Sequence, residues 1–287
     1  MHYFGAFDPS ALAPHPRYGG HGDRYTEAEL VNGATGSVHT GLSICELAPG
    51  GTLAPHAHSY EEGFYVLAGT AVVSIGDRSW RLGAGDYGAL KVGTPHGWRA
   101  AGAEPVRWLQ MAAPQPKPIG SLRDTFFVKH GRVPADAAPF DAAAPHDALL
   151  GHFDESQIPR GDDGRITTGG LQGVYLKWLI DETFGARHHR MLFVEYQPGV
   201  SIGLHDHTFE ESYVILSGEV EATLDGRTYL ATAGSVLWTG VGCVHAFANV
   251  GRAPVRWLET FSPQPPAENV FRFVAEWQQK ASELEGT

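Results

Sequence analysis

The chain contains one segment twice, and the repeat limits what it can fold into. Residues 50–116 align with 199–265 at a constant offset of 149, with no insertion or deletion between anchors. GGTLAPHAHSYEEGFYVLAG (50–69) lies over GVSIGLHDHTFEESYVILSG (199–218), and VGTPHGW (92–98) over VGCVHAF (241–247). PVRWL recurs at 105–109 and 254–258, and Pro114-Gln115-Pro116 recurs as Pro263-Gln264-Pro265. A period this long is not that of a solenoid and reads as a duplicated domain.

Each copy has the pattern of an all-β unit. Short β-branched and aromatic runs are broken by Gly and Asp about every ten residues, as in sandwiches and barrels. Gly76-Asp77 and Asp225-Gly226 mark equivalent hairpins. The stretch 117–168 changes character, becoming rich in Ala, Pro, Asp and Gly. We read 1–130 as an N-terminal domain, 131–168 as a linker, and 169–287 as a C-terminal domain. Residues 266–285 place Val270, Phe273, Val274 and Trp277 at helical spacing, which predicts one terminal amphipathic helix.

Composition narrows the partners. A net charge of −11 repels phosphate backbones and argues against nucleic acid. The apolar runs are shorter than the roughly 18–20 residues of a membrane helix. The N-terminus lacks the basic and apolar regions of a signal peptide. Two cysteines, Cys45 and Cys243, fit a reducing compartment, so a cytoplasmic protein is expected.

The 15 histidines are the chemical signal. In a strand, residues i and i+2 share a face, so His56 and His58 project together. Glu62 follows with the same parity and His96 arrives from a later strand. His205, His207, Glu211 and His245 repeat the set. Three imidazoles and one carboxylate can hold a first-row metal and leave positions open. We therefore expect one divalent transition metal per domain: Fe, Mn, Ni or Cu, with Zn possible.

Gly50-x5-His56-x-His58-x3-Glu62-x6-Gly69, repeated from Gly199 to Gly218, resembles the first motif of the cupin superfamily. Gly85-Asp86 with Gly93-Thr94-Pro95-His96, and Gly234-Ser235 with Gly242-Cys243-Val244-His245, match the second motif more loosely. The resemblance implies two double-stranded β-helix (jelly-roll) domains, a bicupin.

Within that family the site pattern resembles flavonol (quercetin) 2,3-dioxygenases. The resemblance implies a dioxygenase acting on a small aromatic or enol-type substrate, with dioxygen as a possible second partner. Oxalate decarboxylases also carry two sites, but no loop here matches their lid, and this chain is short for that group. Alternatives are a redox-neutral lyase, isomerase or hydrolase, or a non-catalytic metal- or ligand-binding bicupin. The expected catalytic groups are Glu62, Glu211 and Tyr213, and the expected substrate wall is Phe64, Trp98, Tyr213 and Phe247. The Tyr213 hydroxyl favours the C-terminal site as the catalytic one. Arg107 and Arg256 are read as outward-facing, Cys45 as core, and Cys243 as a small buried residue or fifth ligand. The remaining histidines are read as surface or local structural groups, with His188-His189 as the pair to watch. A monomer or homodimer is expected.

Overall fold

The computed structural model describes residues 1–143, 149–154, 157–158, 172–264 and 271–285. It is a duplicated jelly roll. The strands Glu61–Ala68, Thr70–Ile75, Arg78–Gly83, Asp86–Leu90, His96–Ala100 and Val106–Ala113 form the N-terminal barrel with the long strand Gly41–His58. At the same offset, Glu210–Ser217, Glu219–Leu224, Arg227–Thr232, Ser235–Thr239, His245–Ala248 and Val255–Ser262 form the C-terminal barrel. Both predicted hairpins close as two-residue loops, Ile75 pairing with Arg78 and Leu224 with Arg227. Gly76, Asp225 and Gly226 all have positive φ, as tight hairpins of this kind require.

The copies differ in one long element. Gly41–His58 runs unbroken through both layers of its barrel, pairing with Val106–Ala113 in one and His96–Ala100 in the other. Its counterpart is two strands, Arg190–Tyr196 and Ser201–Asp206, so the C-terminal barrel has two separate sheets.

The halves also exchange strands. His2–Ala6 pairs with Ser235–Thr239 of the C-terminal barrel, while Leu150–His152 pairs with Asp86–Leu90 of the N-terminal barrel. The N-terminal segment thus supplies an edge strand to the C-terminal barrel, and the linker one to the N-terminal barrel, which covers open backbone groups. One apolar cluster fills each barrel, and a third, including Val31, Leu42, Met111, Ile180, Met191, Phe193 and Trp238, joins the halves.

Two carboxylates fasten this junction. Glu61 accepts the backbone N–H of Arg187 (2.9 Å) and His188 (3.0 Å), and lies 2.7 Å from His189 Nδ1. Its repeat, Glu210, accepts the N–H of Val38 (2.9 Å) and His39 (3.1 Å) and the Ser37 hydroxyl (2.6 Å). His189 is fully buried, so it is an interface residue and not a surface one.

The terminal helix starts later than its periodicity predicts, spanning Val274–Glu285. Phe273 belongs instead to a short strand, Arg272–Phe273, paired with His205 and Asp206. An extended backbone puts Phe271 and Phe273 on one face, where both rings meet His205. Val270 lies outside the described residues, as do 144–148, 155–156 and 159–168 of the expected linker. No helix among the described residues is long and apolar enough to cross a membrane.

Candidate metal centres

The N-terminal centre is assembled from three strands. His56 and His58 come from the end of Gly41–His58, Glu62 from Glu61–Ala68, and His96 from the start of His96–Ala100. All four are at most 3% exposed. The His56 and His96 Nδ1 atoms donate to the carbonyls of Ala54 (2.8 Å) and Thr94 (3.0 Å), and His58 Nδ1 lies 2.9 Å from Thr125 Oγ1. These bonds orient the rings and leave Nε2 facing inward. Glu62 Oε2 lies 3.2 Å from His58 Nε2 and 3.7 Å from His96 Nε2.

Burial, followed by the other two imidazoles, holds His56 well below the usual imidazole range. Burial also lowers His58. Both are therefore neutral at physiological pH, the form that ligates metal. Burial opposes the charge of Glu62, but His96 and His58 outweigh it and hold the carboxyl well below its usual range.

The C-terminal centre repeats the plan with a different inner wall. His205 Nδ1 donates to Gly203 O (2.7 Å) and His245 Nδ1 to Cys243 O (2.9 Å). Glu211 lies 3.4 Å from His207 Nε2 and 3.2 Å from His245 Nε2. Here the carboxylate also accepts hydroxyl donors, Tyr213 at 2.6 Å and Thr239 at 3.4 Å. Burial works to raise Glu211, yet His207, His245 and the Tyr213 bond bring it down to about 2. Burial and the two neighbouring imidazoles lower His205 to about 3.

The donor sets fit a metal ion. In each half the imidazole ligand atoms lie within 4.8 Å of one another. In the N-terminal centre, His58 Nε2, His96 Nε2 and both Glu62 oxygens are buried without a hydrogen-bond partner. Unpartnered buried groups of this kind are costly unless a cation satisfies them.

The other expected site residues lie deeper or elsewhere. Phe64 meets Trp98 at 4.9 Å, and Trp98 stacks on Trp108 at 4.4 Å, all within the barrel core. Phe247 packs on Tyr213 at 4.8 Å. Arg107 pairs with the part-buried Glu46, and Arg256 with the fully buried Glu195, so Arg256 is not the solvated outward residue expected. Cys45 is buried beside Tyr25. The Cys243 thiol groups with His2 and Asp225.

Of the expected wall, Tyr213 and Phe247 reach His245, with ring centroids at 6.4 and 5.9 Å, and further rings outside that wall also touch the ligands. Tyr18 meets His56 at 5.3 Å, Tyr60 stacks on His58 at 4.3 Å, and Phe127 approaches His56 at 5.7 Å. In the C-terminal half, Phe209 stacks on His207 at 4.7 Å, with Phe271 at 4.8 Å. Tyr60 and Phe209 are repeat equivalents, so the duplication could have revealed them. Phe127 and Phe273 pair with His56 and His205 at a different offset, visible only once the strands are placed.

The cupin domain family model matches residues 43–111 and 192–261, the two segments that hold all eight candidate ligands. The chain is a two-domain member of the cupin superfamily. An oxalate decarboxylase from Lactobacillus farciminis, solved with formate, superposes on this bicupin with a TM-score of 0.68. It is 18% identical over 98% of this chain and 93% of that one. A Bacillus subtilis oxalate decarboxylase gives a TM-score of 0.66 and 19% identity over 98% and 83% of the two chains. At such identities the likeness concerns the fold alone.

The HTH-type transcriptional regulator PuuR of Escherichia coli K12 is 32% identical over 111 residues, 38% of this chain and 59% of that protein. The polyketide synthase CurC of Streptomyces cyaneus is 33% identical over 89 residues, 31% of this chain and 58% of that protein. The matches span about three fifths of each relative's length.

Proposed function

We propose that this bicupin is a metal-dependent dioxygenase whose catalytic centre is the N-terminal one, acting on a small aromatic or enol-type substrate. A cavity of about 340 Å³ beside that centre carries the assignment. Tyr18 and Tyr60, which form part of its wall, are also in ring contact with His56 and His58. None of the four ligands lines this cavity, and Tyr18 and Tyr60 are its two aromatic residues, so its volume suits a small molecule without selecting a flat one.

His56, His58, Glu62 and His96 would hold the metal, which supplies Lewis acidity and, if redox-active, an electron route to dioxygen. Thr125, Ala54 and Thr94 keep the three rings aimed at the centre. Neither Glu62 oxygen has a hydroxyl donor, so on leaving the metal the carboxylate would be able to accept the proton of a substrate enol hydroxyl. Glu211 has the same position but is engaged by Tyr213 and Thr239. This difference moves our preference from the C-terminal site to the N-terminal one.

The test is oxygen uptake by protein loaded with Fe, Mn, Ni or Cu in turn, with flavonols, diketones and catechols as substrates. Substrate-dependent uptake lost in Glu62→Gln and kept in Glu211→Gln supports the assignment. Loss in Glu211→Gln alone would overturn it. A second reading rests on Lys117, which lines the cavity together with Arg17, itself paired with Asp124 at 2.6 Å, and would attract a small carboxylate. Anaerobic turnover of such an acid, without oxygen uptake, would make the enzyme a lyase.

A further inference from the structure

Outside the two centres, His2, Asp225 and Cys243 come together from three separate elements, with their ligand atoms within 4.8 Å of one another. His2 lies on the exchanged strand His2–Ala6, Asp225 in the hairpin turn before Arg227–Thr232, and Cys243 on the approach to His245. The His2 ring is fixed on both sides. Its Nε2 is 3.0 Å from the Tyr229 hydroxyl and its Nδ1 is 3.2 Å from Asp225 Oδ2, an oxygen that also pairs with the Met1 ammonium at 2.8 Å and that a metal would have to take from it. The second Asp225 oxygen accepts the backbone N–H of Val244 at 3.1 Å, which orients the carboxylate. Cys243 is 1% exposed, and its thiol is the soft donor of the group.

We propose that His2 Nδ1, Asp225 and Cys243 Sγ form a third metal site, of zinc type, that staples the exchanged strand to the C-terminal barrel. One imidazole, one carboxylate and one thiolate are a recurring zinc donor combination, and water completes four-coordination. The Asp225 side chain is 33% exposed, so the site is reachable from solvent. The Tyr229 hydroxyl holds the imidazole as outer partners of metal-bound histidines do. On binding, the sulfur–metal bond replaces the S–H bond and the proton leaves to solvent.

The site has a structural consequence. It ties the strand contributed by one half to the hairpin and to the loop of the other. Cys243 also presents its carbonyl to His245 Nδ1, so the staple borders the C-terminal centre without sharing a ligand with it.

Cobalt(II) substitution of the full chain isolates the site, since the two cupin centres contain no sulfur ligand. We expect a near-ultraviolet thiolate-to-cobalt charge-transfer band in the unmodified protein. It should vanish in Cys243→Ser, weaken at least about tenfold in apparent affinity in His2→Asn, and persist in Cys45→Ser. Zinc content should fall from about three equivalents per chain to about two in both Cys243→Ser and His2→Asn. The two variants act on different strands, so misfolding of one leaves the other informative. No band in the unmodified protein, or a band and zinc content unchanged in His2→Asn, would overturn the proposal.

Discussion

The two metal centres share a ligand set and differ in what surrounds the carboxylate. Glu62 faces Phe64 and Leu90, whereas Glu211 faces Tyr213 and Thr239 at the repeat-equivalent positions. Two hydroxyls thus engage one carboxylate, while the other has only its imidazole neighbours. Duplication preserved the arrangement of the candidate ligands and let the surroundings of the carboxylate diverge. Identical ligands therefore do not imply identical roles, because the partners behind a ligand decide how free it is.

Removing the acid gives the largest effect. Glu62→Gln should cost about 10²–10⁴ in turnover if Glu62 acts as base, while Glu211→Gln should change it less than about fivefold. Steady-state kinetics with metal content fixed by elemental analysis checks this. Equal losses would mean that the centres act alike and that the divergence has no catalytic meaning.

Exchanging the inner walls sharpens the same point. Phe64→Tyr places a hydroxyl where Tyr213 has one, and should slow turnover about tenfold by occupying Glu62. Tyr213→Phe should leave turnover nearly unchanged. An unaffected Phe64→Tyr enzyme, with its metal retained, would show that carboxylate freedom does not limit the reaction.

The junction tests where the halves remain equivalent. Glu61→Ala and Glu210→Ala each leave two part-buried backbone donors of the opposite half without their carboxylate. Each should destabilise the protein by about 2–4 kcal/mol in urea unfolding. A loss in only one variant would show that the clasp is not reciprocal.

The duplication, the all-β class, the hairpins and the gathering of the histidines and their glutamates into two clusters were legible in the sequence, because strand alternation and repeat spacing act over a few residues. What escaped depends on long-range pairing. Nothing near His2 shows that its strand completes the other barrel, and nothing near Glu61 or Glu210 distinguishes an interface clasp from a surface acid. Phe273 fits a helical period equally well as an extended one, and only its pairing with His205 decides. The aromatic partners of the ligands were missed for a related reason. Tyr18 and Phe127 are distant in sequence from the histidines they cover. Phe64 and Trp98 have the inward parity expected of pocket residues, yet they fill the barrel core.

The subtlest contrast lies one strand further in, at Gln110 and Glu259. Gln110 accepts the Cys45 thiol at 3.3 Å, whereas Glu259 accepts Trp257 Nε1 at 2.9 Å. Burial and then the Glu211 charge push Glu259 up to about 8. Between its unfolded pKa near 4.3 and this value, the native chain keeps a proton that the unfolded chain has released. Stability therefore falls as pH rises through that window. In metal-free protein, we expect Glu259→Gln to remove this slope, matching wild type near pH 4 and exceeding it at pH 8. The difference at pH 8 should be on the order of 5 kcal/mol. Urea unfolding of both proteins across that range measures it. Parallel profiles would mean that Glu259 ionises like an ordinary carboxylate, and that the C-terminal barrel tolerates two neighbouring charges where the N-terminal barrel carries one.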